Sequence, residues 1–224
     1  MPAKLSSNRH AGFTLIEGVI TIVILGIAMV TMTSFIFPQV ERSATPYYQA
    51  RAAAISNAFL NEILSRKFDY NSEPVRDVHL RCGESGIACT VPDVVTGRWP
   101  EDDPLEYTDI IDANGDVIGQ RLNVEFADDV DDFHGCWGDA KLCRQRYSST
   151  NYPWQGLIEN LLDPSRTPDE DIGYNNMTLR VDVSYGSPLT AAEDPTQRSY
   201  KRVAIKVDTG RYGLYDFVAY RGNY

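Results

Sequence analysis

Gly12-Phe13-Thr14-Leu15-Ile16-Glu17 opens the segment on which the reading of the whole chain turns. Twenty residues without a charge follow directly, from Gly18 to Phe37. As a helix rising 1.5 Å per residue, that run is about 30 Å long, the thickness of a bilayer's hydrocarbon core. Ahead of it lies a short polar leader, Met1 to Gly12, which holds Lys4 and Arg9 and no acidic residue. Positive charge on this side of an apolar span orients the leader toward the cytoplasm. Glu17 stands alone at the lip of the span. A carboxylate facing hydrocarbon is costly, so its presence asks for a function.

Three readings of residues 1–37 compete. A cleaved secretory signal has a shorter apolar core, followed by a cleavage site of small residues; Met29-Val30-Thr31-Met32-Thr33-Ser34-Phe35 offers no such site. A plain membrane helix fits the length but leaves both Glu17 and the Gly12-Phe13 junction without a role. The third reading uses every feature. Charged leader, glycine, phenylalanine, glutamate and apolar run together resemble the processing site of type IV prepilins and pseudopilins.

That resemblance implies a specific course of events. Prepilin peptidase cuts after Gly12 and methylates the new amino terminus at Phe13, which makes Glu17 the fifth residue of the mature chain. A glycine before the cut lets the backbone approach the protease closely. Glu17 then neutralises the N-terminal ammonium of a neighbouring subunit and so fixes the register of assembly. The partners implied are other major and minor pilins, prepilin peptidase and the inner-membrane assembly platform. Gly18 departs from the bulky aliphatic residue common at that position of the family. The segments Ile24–Val30, Phe37–Pro46, Arg51–Ala54 and Phe59–Leu64 further resemble minor pilins of the mannose-sensitive haemagglutinin (MSHA) pilus.

The expected architecture is α+β, with a long N-terminal helix laid on an antiparallel sheet, as in type IV pilins. Residues 1–12 form the leader, 13–37 the membrane and assembly helix, 38–68 its kinked amphipathic continuation, and 69–224 a β-rich head outside the inner membrane. Pro38 and Pro46 each remove a backbone donor, and a kink or local unwinding is expected there. From Tyr47 to Lys67 the helix resumes, with Ala52, Ile55, Phe59, Ile63 and Leu64 making an apolar stripe that faces a core. Strands are predicted at Val75–Leu80, Leu122–Phe126, Leu179–Tyr185, Val203–Val207 and Tyr215–Tyr220. Asn114-Gly115, between Ile110-Ile111 and Val117-Ile118, signals a hairpin. The C-terminal strands are expected to pair as antiparallel neighbours, through a long loop at 186–199 and a turn near Gly210.

Composition narrows the function classes. The net charge of −10 argues against nucleic acid, whose phosphates need Lys and Arg, and loss of the leader makes the remainder more acidic still. Four cysteines fall into two pairs of equal spacing, Cys82/Cys89 and Cys136/Cys143. Six intervening residues are too many for the usual zinc spacing and suit two local disulfides in an oxidising compartment, although sequence leaves three pairings open.

Asp112-Ala113-Asn114-Gly115-Asp116 begins like a calcium-binding loop, but Val117 and Asn123 occupy the positions of its required glycine and glutamate. Asp128, Asp129, Asp131 and Asp132 are weak calcium candidates and read more naturally as a solvated acidic loop. The Trp99, Trp137 and Trp154 loops are read as buried anchors before any binding surface. No nucleophile elbow, phosphate loop or metalloprotease motif occurs, and the three histidines, His10, His79 and His134, are scattered. The pilin resemblance implies assembly as the function, and no enzyme activity or cofactor is expected. A type II secretion pseudopilin is the alternative within the family. A single-pass membrane-anchored binding or sensor domain is the alternative outside it.

Overall fold

The structure, a computed structural model, describes residues 14–72, 81–84, 86–100, 104–111, 114–162, 174, 176–190, 192–193 and 198–224. The cleavage junction Gly12-Phe13, the predicted strand Val75–Leu80 with His79, and Asp112-Ala113 lie outside the described residues. The chain forms two compact units, Met1–Pro46 and Tyr47–Tyr224. The helix α1, Leu15–Ser65, contributes to both.

In the first unit, Leu15 to Ile36 is helical and apolar over 22 residues, long enough to cross a membrane. Its side chains are uncovered: Ile22, Met32 and Phe35 are each 70% exposed or more. The local unwinding expected around Pro38 and Pro46 does not occur, since the backbone stays helical through both. A proline deletes one amide donor, and the long helical runs on either side supply enough cooperative hydrogen bonding to carry the helix past it.

The second unit begins with the remainder of α1. Ala52, Ile55, Phe59 and Ile63 are buried while Asn57 and Asn61 are exposed, so the apolar stripe does face the core. The helix ends at Ser65 rather than Lys67, because the next two residues bind elsewhere. Arg66 donates to the carbonyls of Ala127 (2.7 Å) and Val124 (2.9 Å), and the Lys67 amide donates to the Asp128 carbonyl (3.1 Å). The Val130 amide returns a bond to the Lys67 carbonyl (3.2 Å).

A two-stranded antiparallel ribbon comes next, β1 (Tyr107–Ile111) and β2 (Val117–Leu122), closed by the Asn114-Gly115 turn with Gly115 at φ 89°. No strand forms over the predicted Leu122–Phe126, because β2 ends at Leu122. Residues 124–126 form a turn, in which the amides of Phe126 and Ala127 bond to the Asn123 carbonyl.

The main sheet contains β3 (Gly135–Gly138), β4 (Trp154–Gly156), β5 (Thr178–Ser187), β6 (Ala192–Glu193), β7 (Tyr200–Asp208) and β8 (Leu214–Gly222). Its order is β4-β3-β5-β7-β8, with β6 paired to β5. All these pairings are antiparallel except β3 with β4, so the sheet is mixed at one edge. The antiparallel run β5-β7-β8 matches the predicted strands. Two short helices, α2 (Ala140–Arg146) and α3 (Ile158–Leu162), frame β4.

The inward face of the sheet supplies Leu179, Val181 and Val183 from β5 and Val203, Ile205 and Val207 from β7. These residues pack in one core with the stripe of α1 and with Phe133 and Trp137. The architecture is α+β, as the order of elements predicts.

Candidate functional site

Two places hold the candidate functional residues. The first is the start of α1. Glu17 sits in the helix's first turn, where the exposed amide dipoles favour a negative charge. Within the span, the hydroxyls turn back onto the helix's own carbonyls. Thr21 donates to Glu17 O (2.6 Å), Thr31 to Ala28 O (2.9 Å), Thr33 to Met29 O (3.0 Å) and Ser34 to Thr31 O (2.7 Å). Each side-chain donor is thereby satisfied without water, which suits a segment destined for hydrocarbon. Between Leu15 and Phe37, Glu17 is left as the single charge.

The second place is the acidic cluster of the head. The sequence reads it as a solvated loop, and the structure corrects that: Asp129, Asp131 and Asp132 are buried, and only Asp128 is half-exposed. Burial is tolerated because donors converge on the carboxylates. The Asp132 carboxylate accepts from the amides of Asp128 (2.9 Å) and Asp129 (3.1 Å), and Asp129 accepts from the Asp131 amide (2.6 Å). Asp128 pairs with Lys67 (2.6 Å).

The four aspartates therefore do not converge as one set. Asp128 and Asp132 gather with Glu106, their oxygens within 4.8 Å of one another, whereas Asp131 turns to Lys201. Burial, reinforced by the charges of Asp129 and Glu106, pushes the Asp132 carboxyl up to about 9.

Lys201 is 0% exposed. Its ammonium lies 2.6 Å from Asp131 Oδ2 and 3.1 Å from Asp69 Oδ2. The rings of Phe68 and Trp99, both 4.8 Å away, and of Tyr185 at 5.6 Å surround it. Burial alone would lower the lysine's pKa, but its acidic neighbours Asp131, Asp129 and Asp69 outweigh that effect and raise it. Burial drives the Asp131 carboxyl well above its usual range, against the pull of Lys201. Sequence reasoning missed this cluster. The signal was the alternation of β7, in which Lys201 shares the phase of the inward-facing Val203, Ile205 and Val207. A lysine in core phase requires a buried carboxylate.

The remaining candidates are structural. The cysteines pair as Cys82–Cys89 and Cys136–Cys143, each closing a local loop. Trp99 and Trp137 are buried anchors whose indole N–H groups donate to the Val183 and Phe133 carbonyls. Trp154 is half-buried, and its indole donates to Gly138 O (2.7 Å). His134 accepts the Val183 amide at Nδ1 (3.1 Å) and donates from Nε2 to the Asn151 carbonyl (3.0 Å). That pair of bonds fixes a neutral ring, and burial lowers its pKa accordingly.

Comparison with known proteins agrees with the N-terminal chemistry. The family described as Prokaryotic N-terminal methylation motif matches residues 7–33. Among curated proteins and among solved structures, nothing matches the chain. The motif is that of type IV pilin-like and pseudopilin-like proteins, a structural class, and the apolar helix Leu15–Ile36 beside it is consistent with membrane anchoring. In general terms it carries with it pilin partners and processing by prepilin peptidase.

Proposed function

We propose that the chain is a minor type IV pilin, cut between Gly12 and Phe13, methylated at Phe13, and built into a pilus or its priming complex through residues 13–37. Residues 1–12 are the leader and 38–68 the amphipathic continuation of the helix, while residues 69–224 form a head held in the periplasm and then displayed on the cell surface. The observation that carries this reading is the uncovered apolar helix Leu15–Ile36 with a lone carboxylate in its first turn. A bilayer accounts for the apolar surface. The carboxylate gains a partner only when the Phe13 ammonium of another subunit arrives. In low dielectric such a pair attracts strongly, though desolvation offsets much of the gain, so its chief value is register.

The segments Ile24–Val30 and Phe37–Pro46 support a finer reading, a role in surface attachment like that of the D-type minor pilin of the MSHA system. The size of the head favours a tip or priming position over regular placement along a shaft.

Intact-mass measurement of the membrane-extracted protein tests the processing step. The expected product begins at a methylated Phe13, and an uncleaved N-terminus would refute the reading. Recovery of the protein in sheared pili tests the location. Cleaved protein that never leaves the membrane fraction would favour the type II secretion pseudopilin instead.

A further inference from the structure

The surroundings of Lys201 are more reactive than an ion pair needs. Its amine nitrogen touches two carboxyl groups that belong to sequence-distant segments, and both carboxyls are as deeply buried as the lysine. The Thr90 hydroxyl lies between those two carboxyls, 2.5 Å from Asp69 Oδ2 and 2.7 Å from Asp131 Oδ2. A hydroxyl has one proton to give. If it donates to one carboxylate, the other contact is favourable only when that carboxyl carries a proton and donates back.

The remaining hydrogen bonds decide which one is protonated. Asp69 also accepts the Thr90 amide at Oδ2 (2.9 Å) and the Asn71 amide at Oδ1 (3.1 Å), so donors meet both of its oxygens. Asp131 Oδ1 is buried with no hydrogen-bond partner, which suits a neutral acid. The site therefore presents a lysine ammonium, a neutral carboxylic acid and a carboxylate base, enclosed by Phe68, Trp99 and Tyr185.

We propose that Lys201 and Asp131 condense to an intramolecular amide, with Asp69 as the proton acceptor. The starting set is the Lys201 ammonium, the Asp69 carboxylate and the Asp131 carboxylic acid, neutral in sum. Asp69 takes one ammonium proton. The freed nitrogen lone pair attacks Asp131 Cγ, and a C–N bond forms. The Cγ–OH bond then breaks, and the hydroxyl leaves as water with a second proton from nitrogen, relayed through Asp69. The products are a secondary amide, one water and a protonated Asp69, again neutral, and no oxidant or co-reactant is consumed.

Amide formation is unfavourable between free groups in water. Here the reactants are held in contact, and intramolecular reactions of well-oriented groups reach effective molarities on the order of 10⁵–10⁸ M. The aromatic wall limits the return of water. The resulting bond would tie β7 to the segment before β3 across 70 residues of sequence. It would lock the head against pulling forces in a way that neither local disulfide can.

The test is peptide mapping of the full-length protein, extracted in detergent, reduced, denatured and digested. The expected result is one branched species joining the Lys201 and Asp131 peptides, lighter than their sum by one water and resistant to reduction. Separate linear peptides from the folded wild-type protein would overturn the proposal, as would a branch at Asp69. Lys201→Arg keeps the charge but cannot form this amide, and should yield linear peptides only. Asp69→Asn is nearly isosteric, and its folding is checked independently by circular dichroism. Folded Asp69→Asn protein should lose the branch, and full cross-linking in it would remove Asp69 from the proton path.

Discussion

The Phe59 ring of α1 meets the Trp137 ring of β3 edge-on, with centroids 5.3 Å apart and planes at 87°. Both residues are fully buried, and Trp137 is also pinned by the bond from its indole N–H to Phe133 O (3.2 Å). This contact makes the helix part of the head's core. Phe59→Ala should therefore lower the stability of the second unit by about 3–5 kcal/mol, the usual cost of emptying a buried aromatic site. Chemical denaturation followed by Trp fluorescence measures it. A loss under about 1 kcal/mol would mean that the helix is not integral to the core.

How far the sequence disclosed the fold depends on which residues carried a period. The α1 stripe and the alternating strands at 179–185, 203–207 and 215–220 were readable because burial follows a spacing of 3.6 or 2. β3 and β4 were not, since Gly135–Gly138 and Trp154–Gly156 are too short to show alternation and β3 is buried on both faces. The acidic segment was misread because charge density was taken as solvation, while its partners, Lys67 and Lys201, lie 61 and 70 residues away. The Glu17 motif was legible because its features are contiguous.

Gly135 shows what allows the short strands to form. At φ 150°, a Cβ on it would come within 2.4 Å of the Pro153 carbonyl oxygen, the same atom that accepts the Cys136 amide at 2.8 Å. Gly135→Ala must therefore strain the backbone or break the β3–β4 pairing, at roughly 2–4 kcal/mol from strain and overpacking together. Gly119→Ala is the control: its Cβ would meet nothing within 4 Å, and its effect should stay near zero. Equal thermal shifts for the two variants would contradict this account.

The Asp132 carboxyl, pushed up to about 9 by burial and by Asp129 and Glu106, sets a pH dependence of definite sign. Its unfolded form titrates near 4, so between those values the native state holds more protons than the unfolded one. Stability contributed at this site is thus highest at low pH and falls as pH rises toward 9. Asp132→Asn mimics the protonated acid and retains an oxygen for the amides of Asp128 and Asp129. It should stabilise the head by on the order of 1–2 kcal/mol at pH 8 and by little at pH 4. Urea titrations at both pH values test this, and a gain that is larger at pH 4 would reverse the assignment.

Glu17 is best tested by separating its charge from the fold. Among the described residues, the head's buried core is drawn from Ala52 onward, so Glu17→Ala and Glu17→Gln should leave the melting transition of the head unchanged. Neither substitution touches the Gly12-Phe13 junction, and both proteins should still be cleaved and methylated. Incorporation is the step that should fail. Without the carboxylate, the Phe13 ammonium of a neighbour would enter the apolar bundle unpaired. Leaving one member of a buried pair alone costs roughly 3–5 kcal/mol, equivalent to a loss of incorporation on the order of a hundredfold or more. Quantifying each variant in sheared pili against the membrane pool reads this directly. Glu17→Gln keeps the shape and removes only the charge, so its failure alongside Glu17→Ala assigns the effect to electrostatics. Normal incorporation of Glu17→Gln would leave Glu17 as a helix-start residue favoured by the dipole and nothing more.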